Sequence, residues 1–239
     1  MDVRRFRADL YELAARACRG DDQGVRSQVF GIADILVELY RKNSVKINHS
    51  ALELVCARGL VKQGYGVKVE HKLDKALVCD VWGTRGDGIL IIEMETGFIP
   101  PEAALEPSVY ARGRIASKIA RYSRFAGKFA LGTTPSYVLD IPPFFAKPVR
   151  ERTRDEAVEI KALTDVHYKK PPVTLDELMR ARLHSVFVVD VDSATTREID
   201  PESYLETVSA FVEHSHPDQG LYRNRRSSGS GFIFGEAAA

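Results

Sequence analysis

The segment from Gly88 to Thr96, GILIIEMET, constrains this chain more than any other part of it. Side chains alternate between the two faces of a strand, so Ile89, Ile91, Glu93 and Glu95 share one face and Leu90, Ile92 and Met94 the other. Both faces are apolar as far as Glu93, which is the pattern of a central strand covered on both sides, as in α/β proteins. The strand then ends in two acids that are costly to bury without a compensating cation.

Apolar periodicity sets out the elements around it. Phe6, Leu10, Leu13, Ala14 and Ala17 predict one helix with Gly20 as its stop. Val29, Ile32, Ala33, Leu36, Val37 and Tyr40 predict a second. This pair reads as an N-terminal helical cap over residues 1–47. A third helix is expected from an Asn48 N-cap to Gly64, with Leu52, Val55, Cys56, Leu60 and Val61 as its apolar face and Gly59 costing ~1 kcal/mol relative to Ala. Three strands follow, Gly66 to Leu73, Ala76 to Gly83 and Gly88 to Thr96, joined by turn-forming residues as an antiparallel meander. Pro100-Pro101 breaks the chain, a helix spans Pro107 to Gly127, and a strand runs from Lys128 to Gly132. Beyond it, helices are expected at Thr153 to Leu163, Leu175 to Arg182 and Pro201 to His214, and a strand at Ser185 to Val191. The main α/β domain is thus 48–216, and 217–239 reads as a mobile tail.

Asp80 lies on the strand before the two glutamates. A hairpin joining the strands brings it within one strand spacing, ~5 Å, of Glu93 or Glu95. Like charges that close raise one another's pKa unless something neutralises them. A divalent cation with oxygen ligands, Mg²⁺ above all, is one resolution. A structural charge network with Arg114, Lys118 or Arg121 is the other.

The order of elements resembles that of the PD-(D/E)xK nuclease superfamily, which includes many restriction enzymes and archaeal Holliday-junction resolvases. ALELVCARGLVKQGYGVKVE looks like the opening helix and first strand of those resolvases. Glu53 matches the helix glutamate, Asp80 in CDVWG the motif aspartate, and Glu93 the first acid of the tripeptide. The tripeptide here is Glu93-Met94-Glu95, with Glu95 where the lysine normally stands; Lys118 is the candidate for a lysine moved to a nearby helix. The resemblance covers roughly residues 48 to 132. It implies a restriction-endonuclease-like αβββαβ core with a mixed sheet, a helical cap and C-terminal α/β additions. It further implies Mg²⁺ (or Mn²⁺) held by Asp80, Glu93 and the Met94 carbonyl, with Glu53 joining directly or through water. The bound ion would activate a water for phosphodiester hydrolysis in DNA, more than RNA, with Glu95 orienting or deprotonating that water. By analogy with enzymes that cut both strands, a homodimer is possible.

Arg114, Lys118, Arg121 and Lys128 fall at offsets that share one helical face. That stripe either contacts phosphates or is a solvated face. The net charge of +1 gives no basic coat. His214 with His216, the glycines between Gly83 and Gly88, and Arg223, Arg225 and Arg226 read as loop, turn and solubilising tail. Cys18, Cys56 and Cys79 form no CxxC pair and read as buried free thiols. No apolar run reaches the ~20 residues of a membrane span, and the N-terminus lacks the apolar core of a secretory signal, so the expected compartment is the cytoplasm. Two other readings stand beside the nuclease: a nuclease-fold nucleic-acid-binding protein without chemistry, and a winged-helix regulator built on residues 29–73. The second requires the strand at Val67 to Leu73 to pair outside the sheet that carries Asp80 and Glu93.

Overall fold

The computed structural model describes residues 2–215. A six-stranded mixed sheet has its strands in sequence order: β1 (Gly66–Lys72), β2 (Val78–Arg85), β3 (Gly88–Glu95), β4 (Lys128–Thr133), β5 (Ser185–Asp190) and β6 (Thr195–Ile199). The first three strands form the expected antiparallel meander. β4 pairs in parallel with β3 and β5 in parallel with β4, while β6 returns antiparallel at the edge. β1 therefore belongs to the same sheet as Asp80 and Glu93, which is not the arrangement the winged-helix reading requires.

Helices α1 (Val3–Ala17), α2 (Gln23–Arg41) and α3 (Ile47–Lys62) cover one face, in a core with Val69, Val81, Leu90, Ile92, Met94 and Phe187. Helices α4 (Pro107–Tyr122), α5 (Arg154–His167) and α6 (Leu175–Arg180) cover the other, against Ile91, Phe129, Leu131 and Val186. A last helix, α7, spans Pro201–Ser215. The residues buried in α1 and α2 are those the 3.6-residue spacing selects, save Tyr40, which is partly exposed and stacks on Phe6. α1 ends at Ala17 with Cys18 as its C-cap, and Gly20, in the turn that follows, takes a left-handed φ of 79° without the Cβ penalty other residues meet there.

Several boundaries differ from expectation. Asn48 lies inside the first turn of α3, because Lys46 has the extended backbone of an N-cap. The helix is buried almost all round, including Ser50, Glu53 and Leu54, because α2 packs on one side and the sheet on the other. Gly59 faces β6, where an added Cβ would stand 3.3 Å from Thr196 Cβ; its propensity cost offsets a close helix–sheet approach. α4 ends at Tyr122 in a short 3-10 turn, well before Gly127. β6 was not expected: TTREI is polar and mostly exposed, and Arg197 and Glu198 mark it as a protected edge. α5 and α6 each begin in a capping box, Thr153 with Glu156 and Thr174 with Glu177.

The three cysteines are buried and free. Among the described residues no helix is long and apolar enough to cross a membrane. The tail from Pro217 and its arginines, and His216, lie outside the described residues.

Asp21, ahead of α2, accepts from Arg58 at 2.8 Å and Lys62 at 2.9 Å on α3, and its side chain is 3% exposed. The Arg58 hydrogen bonds, with Lys62 behind them, hold its carboxyl down at about 2. A depressed folded-state value means stability present above the unfolded value of ~3.9 and lost as pH falls toward 2. Asp21→Asn is expected to cost ~1–2 kcal/mol at pH 7 and only a small fraction of that near pH 2, where the group is half protonated. Denaturant titrations of both proteins at the two pH values measure this.

Candidate metal centre

Asp80 interrupts the regularity of the sheet. The β1–β2 pairing runs to Val69↔Val81 and resumes at His71↔Cys79, with Glu70 opposite Asp80 in a left-handed φ of 48°. Cys79 packs with Ile91 on the α4 side and Val81 with Ile92 on the α3 side, so the strict alternation breaks between them. The Asp80 N–H donates to Glu93 Oε1 at 3.1 Å, and the Met94 N–H donates to Asp80 Oδ2 at 2.5 Å. The Asp80 carboxylate therefore sits in the seam between β2 and β3, within reach of helices on both faces.

From one face α3 brings His49 and Glu53, four residues apart and thus one above the other on the helix. His49, Glu53 and Asp80 each offer a ligand atom, and these atoms all lie within 4.8 Å of one another. Glu53 is fully buried, and neither of its carboxyl oxygens has a hydrogen-bond partner among the described residues. Burial, then the charges of Asp80 and Glu70, push its pKa well up. Burial pushes His49 down, against the pull of Asp80, which favours the neutral imidazole a metal requires. Burial and Asp80 together push Glu70 up to about 7.

From the other face α4 brings Lys118. Its Nζ donates to the Met94 carbonyl at 2.8 Å and lies 2.8 Å from Glu95 Oε1, 3.2 Å from Glu93 Oε2 and 4.0 Å from Asp80 Oδ2. Burial opposes its charge, and the three acids more than compensate, so its pKa is raised. Arg114 Nε donates to the same Glu95 Oε1 at 2.8 Å. Burial alone would raise the Glu95 carboxyl, but Lys118 and Arg114 hold it below the usual range. Glu93 goes the other way: burial, with Asp80, keeps it well above that range despite Lys118.

The four acids read from the sequence are thus gathered, but in two groups with Asp80 between them. Glu93, Glu95 and the Met94 carbonyl turn to the ammonium of Lys118. The donor set for a cation is His49, Glu53 and Asp80. The two unpartnered Glu53 oxygens are the observation that bears on fit, because a buried carboxyl without a donor is otherwise a net cost. Donors on opposite sides of an ion with ~2.1 Å bonds stand ~4.2 Å apart, a separation that the 4.8 Å limit on these atoms accommodates, and the donor types are suitable.

The cationic stripe does not hold together. Arg114 and Lys118 point into the acids, and their side chains are only 23% and 16% exposed. Arg121 donates to the Pro171 carbonyl and lies over the Tyr168 ring. Lys128 is not on the helix at all: it opens β4 opposite Leu90, five residues along β3 from Glu95 and so ~16 Å away. The offset of fourteen assumed a helix that continues through Gly127. His49 and Glu70 were missed. The i, i+4 spacing of His49 and Glu53 was available as a signal; nothing in the sequence marks Glu70.

No family model and no curated protein matches the chain. Among solved structures, a protein of unknown function from Silicibacter pomeroyi is similar at 11% identity, with a TM-score of 0.31, over 72% of this chain and 94% of that one.

Proposed function

We propose that this chain is a divalent-metal-dependent phosphodiesterase with a restriction-endonuclease-like core, acting on DNA. One observation carries the reading: Asp80 lies within ligand range of Glu53 and His49 on one side and 4.0 Å from Lys118 on the other. Further support comes from the run α3-β1-β2-β3-α4-β4, the element order of such a core, with an acid from the helix, an acid from the second strand and a lysine from the crossover helix.

His49, Glu53 and Asp80 would hold the ion, and the imidazole favours Mn²⁺ over Mg²⁺. When bound, the ion polarises the scissile phosphate and lowers the pKa of a coordinated water. Lys118 fixes Glu93 and Glu95 and presents positive charge beside the reacting phosphate. Glu95, kept ionised by two cations, is a weak base suited to orienting a water rather than taking its proton.

The test incubates purified protein with branched, duplex and single-stranded DNA in Mn²⁺ or Mg²⁺. Cleavage is expected, faster in Mn²⁺, and at least 100-fold slower in Asp80→Ala and Glu93→Ala. No cleavage of any substrate, or cleavage unchanged by those substitutions, removes the proposal. Calorimetric Mn²⁺ affinity is expected to rise with pH, because Glu53, whose pKa burial raises, must lose its proton to bind. Tight Mn²⁺ binding without cleavage would instead favour a nucleic-acid-binding protein on the same core.

A further inference from the structure

At the opposite end of the sheet a cavity of about 470 Å³ opens between the short turns at Pro143–Phe145 and Val149–Glu151 and the segment entering β5. Its wall carries Lys147, Arg150, Arg152, Arg182 and His184, and none of the residues lining it is acidic. Lys147 is neutralised by Glu156, and Arg150 pairs with Glu151. Arg152 and Arg182 have no carboxylate within 4.0 Å among the described residues.

Arg152 is the unusual member, at only 7% exposure. Its guanidinium donates to the carbonyls of Phe145, Lys147, Leu178 and Ala181 and lies over the Phe144 ring. Carbonyls satisfy hydrogen bonds but supply no counter-ion in contact; Glu156 acts on the guanidinium only through space, and a buried charge so weakly compensated is expensive. Four donated bonds from five N–H groups also leave one N–H without a partner among the described residues. Burial and the neighbouring Arg182 both weaken its hold on the proton. His184 Nδ1 accepts from the Phe129 N–H at 3.0 Å, so its Nε2 carries the hydrogen and is a further donor. Phe145 and Leu183 supply apolar surface beside these cations.

We infer that this cavity is a binding site for a small organic anion, its phosphate groups set against Arg152 and Arg182 and its apolar part on Phe145 and Leu183. The volume is in the range of small-molecule sites, ~300–1,000 Å³. The site is separate from the metal centre: its lining shares no residue with the donor set of His49, Glu53 and Asp80, or with Lys118, Glu93 and Glu95.

The experiment titrates the full chain with adenosine diphosphate and with inorganic pyrophosphate by calorimetry, in metal-free buffer at constant ionic strength. Saturable binding of adenosine diphosphate at one site is expected, tighter than pyrophosphate because only the nucleotide uses the apolar wall. Arg182→Ala should weaken it at least tenfold and Arg182→Glu abolish it, whereas Asp80→Asn leaves it unchanged. Arg182 is exposed, so both variants are expected to keep the parent melting temperature within about 2 °C, which separates loss of binding from loss of fold. No saturable heat with either probe, or affinity unchanged in Arg182→Glu, overturns the inference. So does Arg182-dependent binding of a DNA oligonucleotide with none of adenosine diphosphate, since the cations would then be backbone contacts.

Discussion

Lys118→Met is expected to destabilise the protein by about 3–5 kcal/mol at pH 7, the range for removing one partner of a buried ion pair. The methionine fills a similar volume, so the loss is electrostatic rather than a cavity. It leaves the Met94 carbonyl without its donor and removes the cation that Glu93, Glu95 and Asp80 share. Arg114 still holds Glu95, which limits the damage to that acid. The pH dependence gives the sharper readout. In the parent, Glu95 titrates below its unfolded value, so its contribution is present at neutral pH and lost on acidification. In the variant the acids face one another without the ammonium, and their values rise. Glu93, already raised in the parent, rises further, so between pH 4.5 and 7 the variant loses more stability with rising pH than the parent does. Urea titrations at pH 4.5 and 7 measure both effects. A loss under 1 kcal/mol, or a parent-like pH slope, would show that Lys118 is not the electrostatic hub of this site.

Glu53→Leu is expected to do the opposite for the metal-free protein and to raise its stability by about 1–3 kcal/mol, the cost of a buried polar group without a partner. Leucine removes two unpartnered oxygens from a fully buried position on α3. Because the Glu53 pKa is raised, the parent folded state binds its proton more tightly than the unfolded chain does. That preference is lost as pH rises through the raised value, so the advantage of leucine grows with pH. The same substitution takes away a ligand, and Mn²⁺ affinity should drop at least 100-fold. Melting curves with and without Mn²⁺ report both: the variant melts higher alone and gains little from the ion. A variant that melts lower in the absence of metal, or keeps Mn²⁺ affinity within threefold, contradicts the role given to Glu53. A gain in stability coupled to a loss of binding marks a residue retained for a ligand rather than for the fold.

Much of the architecture was legible beforehand, and for a simple reason. The buried sides of α1 and α2 follow from a 3.6-residue repeat, and the three-strand meander from alternation and turn residues, all of which are local. The edge strand β6 was illegible because its partner, not its own apolar content, makes it a strand. The end of α4 was misjudged because Ser123 and Arg124 suit a helix well enough. The turn there comes from the need to reach β4 beside β3.

The acids divide along the same line. That Glu93 and Glu95 share a face, and that a buried strand ending in two carboxylates demands positive charge, is a consequence of strand geometry and of the cost of desolvating charge. The sequence by itself determined that much. Which positive charge answers the demand was decided by tertiary structure alone. The docking of α4 brings Lys118 to Glu93 and Glu95, and the docking of α3 sets His49 and Glu53 beside Asp80. Lys128, on the same helical face only on paper, went to the far end of the sheet. Residue spacing along an element is dictated by backbone geometry, whereas the distance between His49 and Asp80, 31 positions apart, depends on how two layers pack, and no local repeat encodes that.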